Sequence, residues 1–514
     1  MKNNRYRQEL FLHMDGISIL PILYAFKKLD IIEFLYKNGE SSVRDISNAL
    51  DLNQAYLNVC LRSLSIANIL CLKSYDKSDN CFKLSSQNIE STNTLTKELN
   101  SIQNLMLFYS NIDINKIKNS SENSEFIVNE ALNSYTKLKH KLLNQNSNFF
   151  YYYEGLLVGP LLSYLGFYNL LNNPNNLLKN NICKYLKKIL IETNLYNSNN
   201  DITNKGIFFI SRASSYGVTT SYLSTFKNIT NLLKNNHKFI WERKDGYELH
   251  VNRALNVWGS GGAHKYYFNK IDDIIIKIFN KNILEQPKGI IDIGCGDGTF
   301  LKHIYKIILT KTVRGKKINK YPIKVIGVDI NKAARIESRK TLNSSNINNI
   351  IINGNISDPE GLSKELKNNF NENIQDFLSC RTFLDHNRIY KSPETIEYKD
   401  IKSTGAFCYK GIKIDNLHLV NNLISHLRKW KFTTGKFGLI ILELHTINPE
   451  FSQKNSGKTL ACAYDTTHGL SDQYLVEYDV FIKCAKIAGF SLNEETKYLF
   501  PNKKIPTISI SQFI

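Results

Sequence analysis

The spacing of apolar residues changes along the chain, from helical periodicity in the first half to short apolar runs in the second. Leu57, Leu61 and Leu64 recur at the three- and four-residue spacing of an amphipathic helix. From about residue 265, helical segments alternate with six predicted strands at 289–293, 324–329, 349–353, 375–380, 438–444 and 505–510. This alternation predicts an α/β fold with a doubly wound, Rossmann-like sheet, preceded by helical regions.

The first 95 residues are predicted to form a winged-helix-like domain. Its predicted elements are helices at 17–35, 42–50 and 55–69 and a hairpin of strands at 69–73 and 81–84. Arg62 is the only cation on the second helix of the pair, so this helix is poorly suited to contact DNA phosphates. We therefore expect residues 1–95 to be a structural or dimerising domain.

Residues 96–264 are predicted to form a helical linker and lid. Residues 91–145 are polar, rich in Asn and Ser and weakly patterned. Residues 183–210 are compatible with a second winged-helix-like unit, in which 202–209 would be the wing strand. The Gly-rich stretch 253–264 precedes an amphipathic helix, and we interpret it either as a turn that folds over a ligand as a lid or as a plain hinge between domains.

A glycine-rich turn follows the first apolar run of the sheet and identifies the candidate cofactor site. Gly294, Gly296 and Gly298 tolerate positive φ angles and let a ligand approach the backbone closely. Asp329 ends the next run, where a carboxylate can bind the two hydroxyls of a ribose. The glycine spacing differs from G-x-G-x-x-G, which makes a nicotinamide dinucleotide the weaker interpretation.

This site resembles the S-adenosylmethionine (SAM) site of class I methyltransferases. The resemblance rests on D-I-G-C-G-D-G-T-F-L at 292–301 and V-I-G-V-D at 325–329. It implies that residues 265–514 are a methyltransferase domain with SAM as its cofactor. The implied SAM-binding residues are Asp292, Gly294, Gly296, Gly298, Asp329 and Asn355. Asp358 is the alternative to Asn355 as the adenine contact.

Composition narrows the class of protein and its compartment. The 514 residues are 42% apolar, enough for two or three globular units, and we find no apolar run of about 18 residues and no secretory leader. The nine cysteines form no C-x-x-C pair and are interpreted as reduced thiols. We therefore expect a soluble, cytoplasmic protein with no membrane partner.

The formal net charge of +20 does not by itself indicate nucleic-acid binding. Lys residues are scattered along the chain together with Asn, Ile and Tyr, and they form no dense basic stripe with interleaved aromatic residues. We expect no nucleic-acid partner. Attraction to an acidic protein stays open.

Polar clusters at the ends of the later strands are the candidate catalytic region. They lie at 380–388, 442–446 and 464–474. His386, His445 and His468 each belong to one of them. Imidazole together with oxygen ligands suits Mn, Fe(II) or Zn, whereas single histidines more often orient a ligand or act as bases. The residues alone leave a metal site and a metal-free site open.

The same clusters resemble the C-methyltransferase domains of polyketide-synthase loading modules, of the apratoxin, gephyronic acid and saxitoxin type. The matching stretches are D-F-L-S-C-R-T-F-L-D-H-N-R at 376–388, L-E-L-H-T at 442–446, D-T-T-H-G-L-S-D-Q-Y at 465–474 and W-G-S-G-G-A-H at 258–264. The resemblance implies a role in polyketide biosynthesis, namely methylation of the α-carbon of a malonyl thioester on an acyl carrier protein. It also implies metal binding, with one Fe(II) or Mn(II) bound by His445 and Gln473 and with His468 as the competing ligand.

In that chemistry the metal would stabilise the enolate as a Lewis acid, and a base would remove the α-proton. His386 and His468 are the candidate bases, and His386 with Arg381 would alternatively orient a carboxylate. We find no ketosynthase, acyltransferase or carrier segment, so we expect the carrier protein to be recognised in trans. An acidic carrier would be attracted by the basic charge. The resemblance also implies a homodimer.

Two other classes of function are weighed. An O-methyltransferase acting on a small hydroxylated metabolite would share the winged helix and the SAM site, and a His base would suffice for it. A winged-helix regulator with a degenerate, SAM-sensing domain is less favoured, because the glycine loop and Asp329 are intact.

Overall fold

The computed structural model of the chain describes residues 2–74, 80–145, 147–179, 182–244 and 246–514. The α-helices are α1 (Lys2–Lys28), α2 (Ile31–Asn38), α3 (Val43–Leu50), α4 (Gln54–Ile66), α5 (Ile89–Thr96), α6 (Leu99–Ser110), α7 (Ile114–Lys118), α8 (Glu122–Asn144), α9 (Phe149–Phe167), α10 (Lys184–Glu192), α11 (Asn204–Ile210), α12 (Gly217–Ser221), α13 (Leu223–Phe226), α14 (Ile229–Leu233), α15 (Arg253–Phe279), α16 (Thr299–Lys311), α17 (Val313–Lys316), α18 (Lys332–Asn343), α19 (Pro359–Phe370), α20 (Asn416–Thr433), α21 (Pro449–Lys454), α22 (Ala461–Gly469) and α23 (Tyr478–Ile487).

The strands are β1 (Ser41–Ser42), β2 (Leu70–Ser74), β3 (Cys81–Leu84), β4 (Arg243–Lys244), β5 (Tyr247–Glu248), β6 (Gly289–Ile293), β7 (Lys324–Val328), β8 (Asn349–Ile352), β9 (Phe377–Thr382), β10 (Phe407–Tyr409), β11 (Ile412–Ile414), β12 (Leu439–Leu444), β13 (Tyr498–Phe500) and β14 (Ile508–Phe513). Short 3₁₀ helices lie at Pro174–Lys179, Ala213–Tyr216, Lys238–Ile240, Ile283–Glu285, Ile374–Asp376, Asp385–Asn387 and Glu494–Thr496.

The chain divides into two compact units. The first is formed by Met1–Ala263, Ala406–Ile414 and Asn448–Asp472. The second is formed by His264–Gly405, Asp415–Ile447 and Gln473–Ile514. Two segments of the range predicted as the methyltransferase domain therefore belong to the first unit, and the boundary near residue 263 falls within α15.

Two helices in close contact, α1 and α9, form the centre of the first unit. A Cβ added to Gly16 would lie 2.2 Å from the carbonyl oxygen of Tyr152, and one added to Gly155 would lie 2.3 Å from Cα of His13. By length and composition alone, Asn4–Lys28 is apolar enough to cross a membrane, so the expectation that no such stretch exists was wrong. However, 89% of its apolar window is buried, as in the core helix of a globular unit.

The predicted N-terminal hairpin is present in the first unit. Strands β1, β3 and β2 form a small antiparallel sheet in that order, next to α3 and α4 in sequence. Ser42 begins α3 with a capping box, because its hydroxyl accepts from the backbone N–H of Asp45 while the Asp45 carboxylate accepts from that of Ser42. The polar stretch 91–145 is more regular than expected, since buried apolar side chains on α6 and α8 join the core of the unit.

Two local predictions in the first unit were wrong. Residues 204–210 form helix α11 and not a wing strand, and the Thr203 hydroxyl caps it by accepting from the N–H of Gly206 at 3.0 Å. The Gly-rich stretch 253–264 is not a turn, because all of it lies within α15. Gly259 permits a close contact there, since an added Cβ would lie 2.6 Å from Cα of Gly217. Glycine thus serves packing and not flexibility at this position.

The second unit is built on a seven-stranded sheet with the order β13-β14-β12-β9-β6-β7-β8. Strands β8, β7, β6, β9 and β12 are parallel, and β14 runs antiparallel between β12 and β13. The predicted doubly wound sheet is therefore confirmed. The chain proceeds from β6 to β7 and β8 on one side and returns to β9 and β12 on the other, so the strand order reverses beside β6. A ligand is expected in the crevice outside the carboxyl ends of β6 and β9.

Candidate active site

The glycine turn after β6 presents open backbone at this crevice. Gly294, Gly296 and Gly298 all have positive φ, at 79°, 54° and 79°. The backbone N–H groups of Gly294 and Cys295 donate to the carbonyl of Val328 at 2.7 and 3.0 Å, which ties the turn to β7. A Cβ added to Gly296 would meet nothing within 4 Å, so free space lies directly in front of the turn. The turn is thus fixed on one side and open to a ligand on the other.

Asp292, the last but one residue of β6, is a buried carboxylate without a hydrogen bond. It is 1% exposed, and neither carboxylate oxygen has a partner within the described ranges. Burial, followed by the charges of Asp329 and Asp297, raises the pKa of Asp292 well above its usual range. A cationic group in the crevice would relieve this arrangement. SAM carries an ammonium and a sulfonium, so the residues present fit the predicted cofactor.

Asp329, directly after β7, is held against the glycine turn. Its Oδ2 accepts from the N–H of Gly296 at 3.1 Å, and its Oδ1 accepts from the N–H of Asn331 at 2.8 Å. These two bonds fix the carboxylate at the edge of the sheet, half-buried and facing the turn. This is the position at which a ribose diol was predicted to bind.

The structure distinguishes the two predicted adenine contacts after β8. Asp358 caps α19, since its side chain accepts from the N–H of Gly361 at 3.0 Å. Asn355 lies before the helix, and its Oδ1 accepts from the N–H of Ser357 at 2.9 Å, which leaves the Nδ2 group without a bond to the described chain. An amide N–H₂ that can still donate favours Asn355 over Asp358 as the adenine contact.

A buried histidine and a buried glutamate form a pair on the strands that follow the turn. His386 lies in the short 3₁₀ helix after β9 and is 4% exposed, and Glu443 lies near the end of β12 and is 2% exposed. His386 Nδ1 donates to Glu443 Oε1 at 2.6 Å. Glu443 also accepts from the backbone N–H groups of Asp385 and Leu444, each at 2.7 Å. These bonds fix the carboxylate, which in turn fixes the imidazole ring.

The remaining ring nitrogen of His386 is the one suited to chemistry. With Nδ1 protonated towards Glu443, Nε2 carries the lone pair and accepts from Nδ2 of the exposed Asn387 at 3.2 Å. Leu384, two residues earlier, lies against the glycine turn, because a Cβ added to Gly294 would be 2.9 Å from its Cδ2. The base candidate and the cofactor turn therefore occupy one edge of the sheet.

Arg381, Asp385 and His426 form a buried cluster of ionisable side chains next to His386. Arg381 Nη1 lies 3.0 Å from Asp385 Oδ1, an ion pair without hydrogen-bond geometry, and its guanidinium stacks 4.6 Å from the ring centre of Trp430. His426 Nε2 lies 3.1 Å from the same carboxylate oxygen. Burial acts to raise the pKa of Asp385, but Arg381 and His426 outweigh it and hold that pKa below its usual value. Arg381 is thus paired within the protein interior, and its predicted catalytic role stays a prediction.

The predicted metal pair does not fit its surroundings. His445 is fully buried, and both of its nitrogens already have partners, since Nδ1 donates to the Val476 carbonyl at 3.2 Å and Nε2 accepts from the Ser509 hydroxyl at 2.8 Å. Burial lowers the pKa of His445 to about 4, so the ring is neutral. Gln473 is buried in the same unit. In the part of the chain that the structure covers, no three His, Cys, Asp or Glu side chains converge as metal ligands. A site made of one His and one Gln contains fewer ligands of these types, so this observation does not test the predicted pair.

His468, the second predicted base, lies in the first unit. It is near the end of α22, and its Nδ1 donates to the carbonyl of Tyr464 at 2.7 Å, one turn earlier in the same helix. Its assignment as a base or metal ligand stays a prediction.

Sequence reasoning missed the partners that make His386 distinctive. Glu443 is a charged residue within the apolar run 438–444, and this position indicates a buried carboxylate that needs a partner. His426 had no such signal, because it lies in an ordinary amphipathic helix.

Comparison with protein families gives matches along most of the chain. Residues 248–511 match the family described as AprA MT2-like domain. Residues 6–72 match the AprA N-terminal domain, and residues 154–236 match the AprA winged helix domain. The winged-helix match contains the range 183–210, for which a second winged-helix-like unit was predicted, and lies after the range 1–95, for which the first was predicted. The predicted domain bounds themselves stay a prediction.

Solved methyltransferase structures match along most of the chain, at low sequence identity and low TM-score. The CurJ carbon methyltransferase is 10% identical, with a TM-score of 0.42, over 98% of this chain and 90% of that chain. An O-methyltransferase family 2 protein from Planctomyces limnophilus, in complex with apigenin, is 10% identical with a TM-score of 0.40, over 98% and 95% of the two chains. Human N-acetylserotonin methyltransferase in complex with SAM is 11% identical with a TM-score of 0.28, over 97% and 94%. The comparison with curated proteins gives no match.

Proposed function

Since the chain belongs to the AprA MT2-like family and is a SAM-dependent methyltransferase, we propose that it methylates the α-carbon of a malonyl-type thioester on an acyl carrier protein in polyketide biosynthesis. The observation that carries the proposal is the buried pair of His386 and Glu443 beside the glycine turn. Removal of the proton from an α-carbon between two carbonyls needs a base, and a positioned side chain accelerates this transfer. The absence of disulfides in the described ranges is compatible with a cytoplasmic enzyme.

The residues around the turn would bind and orient the cofactor. Bound SAM supplies the methyl group as an electrophile. Asp292 would face its ammonium group, Asp329 would bind the ribose hydroxyls, and Asn355 would contact the adenine. Gly296 leaves the space for the cofactor backbone. The role of these residues is alignment, since the reaction requires carbon, methyl and sulfur to lie in line.

His386 would act as the general base. Its Nε2 would take the α-proton of the malonyl group, and the imidazolium so formed would be stabilised by Glu443 at 2.6 Å. Because Glu443 is fixed by the N–H groups of Asp385 and Leu444, the ring cannot rotate to present the wrong nitrogen. The resulting carbanion would accept the methyl group, with cleavage of the methyl–sulfur bond of SAM and departure of S-adenosylhomocysteine.

The metal implied by resemblance has no part in this proposal. To bind a metal, Nε2 of His445 would have to give up the Ser509 hydroxyl in a fully buried position. The pair of His445 and Gln473 therefore stays a prediction, which is tested below with a chelator. The homodimer likewise stays a prediction.

The alternative is O-methylation of a small hydroxylated metabolite. The same His386–Glu443 pair can take a proton from a hydroxyl as well as from a carbon. The two reactions differ in the atom that receives the methyl group, a carbon or a hydroxyl oxygen, and share the residues that hold SAM.

Intact mass of a malonyl-loaded carrier protein, incubated with SAM, tests the proposal. We expect a mass gain of a methyl group with the wild-type enzyme, and its loss with His386→Gln. His418→Asn is the matched control, because His418 is a partly exposed histidine on α20 whose only side-chain partner among the described residues is Asp415. Methyl transfer to small phenols, with no transfer to the carrier protein, would favour the O-methyltransferase. Full activity of His386→Gln would show that His386 is not the general base.

A further inference from the structure

A cavity of about 320 Å³ lies in the second unit, beside the segment that carries His386. It is bounded by residues 388–398, which have no regular secondary structure, by the middle of α20 and by Ser357. Two buried amides hold the irregular wall to α20. Asn422 Nδ2 donates to the Lys391 carbonyl at 2.8 Å, and Asn421 Oδ1 accepts from the N–H groups of Glu397 and Tyr398, each at 3.1 Å. The wall is therefore fixed by the fold.

Arg388, one of the residues that line this cavity, has an unsatisfied donor. It is 2% exposed. Its Nε donates to Asn422 Oδ1 at 2.8 Å and its Nη1 to the Asp385 carbonyl at 3.0 Å, whereas the buried Nη2 has no hydrogen-bond partner in the ranges that the structure covers. A buried guanidinium nitrogen without an acceptor is costly. An oxygen atom of a ligand in the cavity would supply that acceptor.

The charges around the cavity favour an anion. The cationic side chains that line it are Arg388, Lys391, Arg428 and Lys429, and the carboxylates are Glu394 and Glu397. Glu397 is already paired with Arg428 at 3.0 Å. Lys391 and Lys429 are exposed at the mouth, and His426 is neutral because burial lowers its pKa to about 4. The lining thus carries four positive charges against two negative ones.

We infer that this cavity binds an oxyanion of the acyl substrate, with Arg388 Nη2 as the buried donor and Lys391 and Lys429 at the mouth. The inference rests on the proposed function, which supplies two sources of the same chemistry. One is the phosphate of the pantetheine arm of the carrier protein, and the other is the free carboxylate of the malonyl group. Arg388 follows His386 by two residues, so an anion held here would position the acyl chain relative to the base.

Titration calorimetry on the full chain with SAM tests the inference without any turnover. Inorganic phosphate and malonate are the first probes. Two matched pairs then distinguish the sources, namely phosphopantetheine against pantetheine, and malonyl-pantetheine against acetyl-pantetheine. We expect the charged member of one pair to bind about tenfold or more tightly than its neutral partner, as for a charge-assisted bond to a buried guanidinium. A preference in the first pair identifies the phosphate, and one in the second pair identifies the carboxylate.

Three variants keep the test falsifiable. Arg388→Gln should abolish the preference, and Lys429→Glu should weaken it about tenfold without disturbing any buried bond. Lys311→Glu makes the same charge change at the end of α16, away from the cavity lining, and should leave the preference unchanged. Equal affinity within both pairs, or a preference that Arg388→Gln and Lys429→Glu retain, overturns the inference. A preference without methyl transfer to any carrier overturns the proposed function alone, and transfer without a preference overturns the anion site alone.

Discussion

Replacing Glu443 by Gln tests the role of His386 with little change in shape. The carboxylate is 2% exposed and accepts from His386 Nδ1 at 2.6 Å and from two backbone N–H groups at 2.7 Å each. A glutamine has one carbonyl oxygen, which can replace either Oε1, the acceptor for His386 Nδ1–H and the Leu444 N–H, or Oε2, the acceptor for the Asp385 N–H, and in both cases the negative charge is lost. The variant therefore leaves the imidazolium without its counter-charge at the step in which the proton is transferred.

The expected loss follows from the strength of this bond. A hydrogen bond to a charged group contributes about 1.5–3 kcal/mol, so the rate of transfer should fall about 10- to 150-fold. Single-turnover transfer from isotopically labelled SAM measures it. SAM affinity should stay unchanged, because Glu443 bonds Asp385, His386 and Leu444 and no residue of the glycine turn within the described ranges.

Glu337→Gln is the matched control for this variant. Glu337 is a half-exposed glutamate of α18 that pairs with Lys340 at 3.1 Å, and its loss should not change the rate. A rate for Glu443→Gln within about twofold of wild type, in a protein that melts normally, would refute the role assigned to the pair. A raised KM for the carrier with an unchanged kcat would assign Glu443 to substrate positioning instead.

Three further outcomes are expected. Because the pKa of Asp292 is raised, the folded protein without SAM keeps a proton on this carboxyl at pH values where the unfolded chain has released it. The free energy of unfolding should therefore fall by up to about 1.4 kcal/mol per pH unit. This decrease begins above the unfolded carboxyl pKa of about 3.9 and ends at the raised pKa of the folded state. Asp292→Asn should remove this dependence of stability on pH, as measured by melting curves at several pH values. An unchanged dependence would show that another group causes it. Gly155→Ala should destabilise the first unit by about 1–3 kcal/mol in urea, because the new Cβ would lie 2.3 Å from Cα of His13. Gly261→Ala, whose Cβ would meet nothing within 4 Å, should not destabilise it, and equal effects would contradict the packing argument. Treatment with a chelator should leave methyl transfer intact. Activity that is lost with the chelator and restored by Mn(II) or Fe(II) would support metal binding by His445 and Gln473.

The parts of the fold that local chemistry determines were predictable. An apolar run followed by alternating glycines specifies a strand and a turn with positive φ, and β6 covers residues 289–293 as predicted. The last strand was predicted three residues early, at 505–510 and not at Ile508–Phe513. The short strand β13, at Tyr498–Phe500, was missed because three residues show no periodicity.

The errors arise where distant residues decide the outcome. Gly259 was interpreted as part of a turn, yet it lies in a helix because Gly217 packs against it from far along the chain. The pair of His386 and Glu443 joins two different strands, and neither residue reveals the other by spacing. Spacing likewise does not reveal the Ser509 hydroxyl that bonds Nε2 of His445, and the role of His445 as a metal ligand stays a prediction.

The position of the transferred methyl group tests the central claim most directly. The enzyme would be given SAM with a carbon-13 methyl group and a malonyl-loaded carrier protein, and the product thioester would be released and recorded by carbon-13 NMR. Our account predicts a methyl signal in the aliphatic region, coupled to the proton of the α-carbon, that is absent with His386→Gln. A signal in the methoxy region on any oxygen of the product, or no labelled product from the carrier while SAM is still bound, would contradict it.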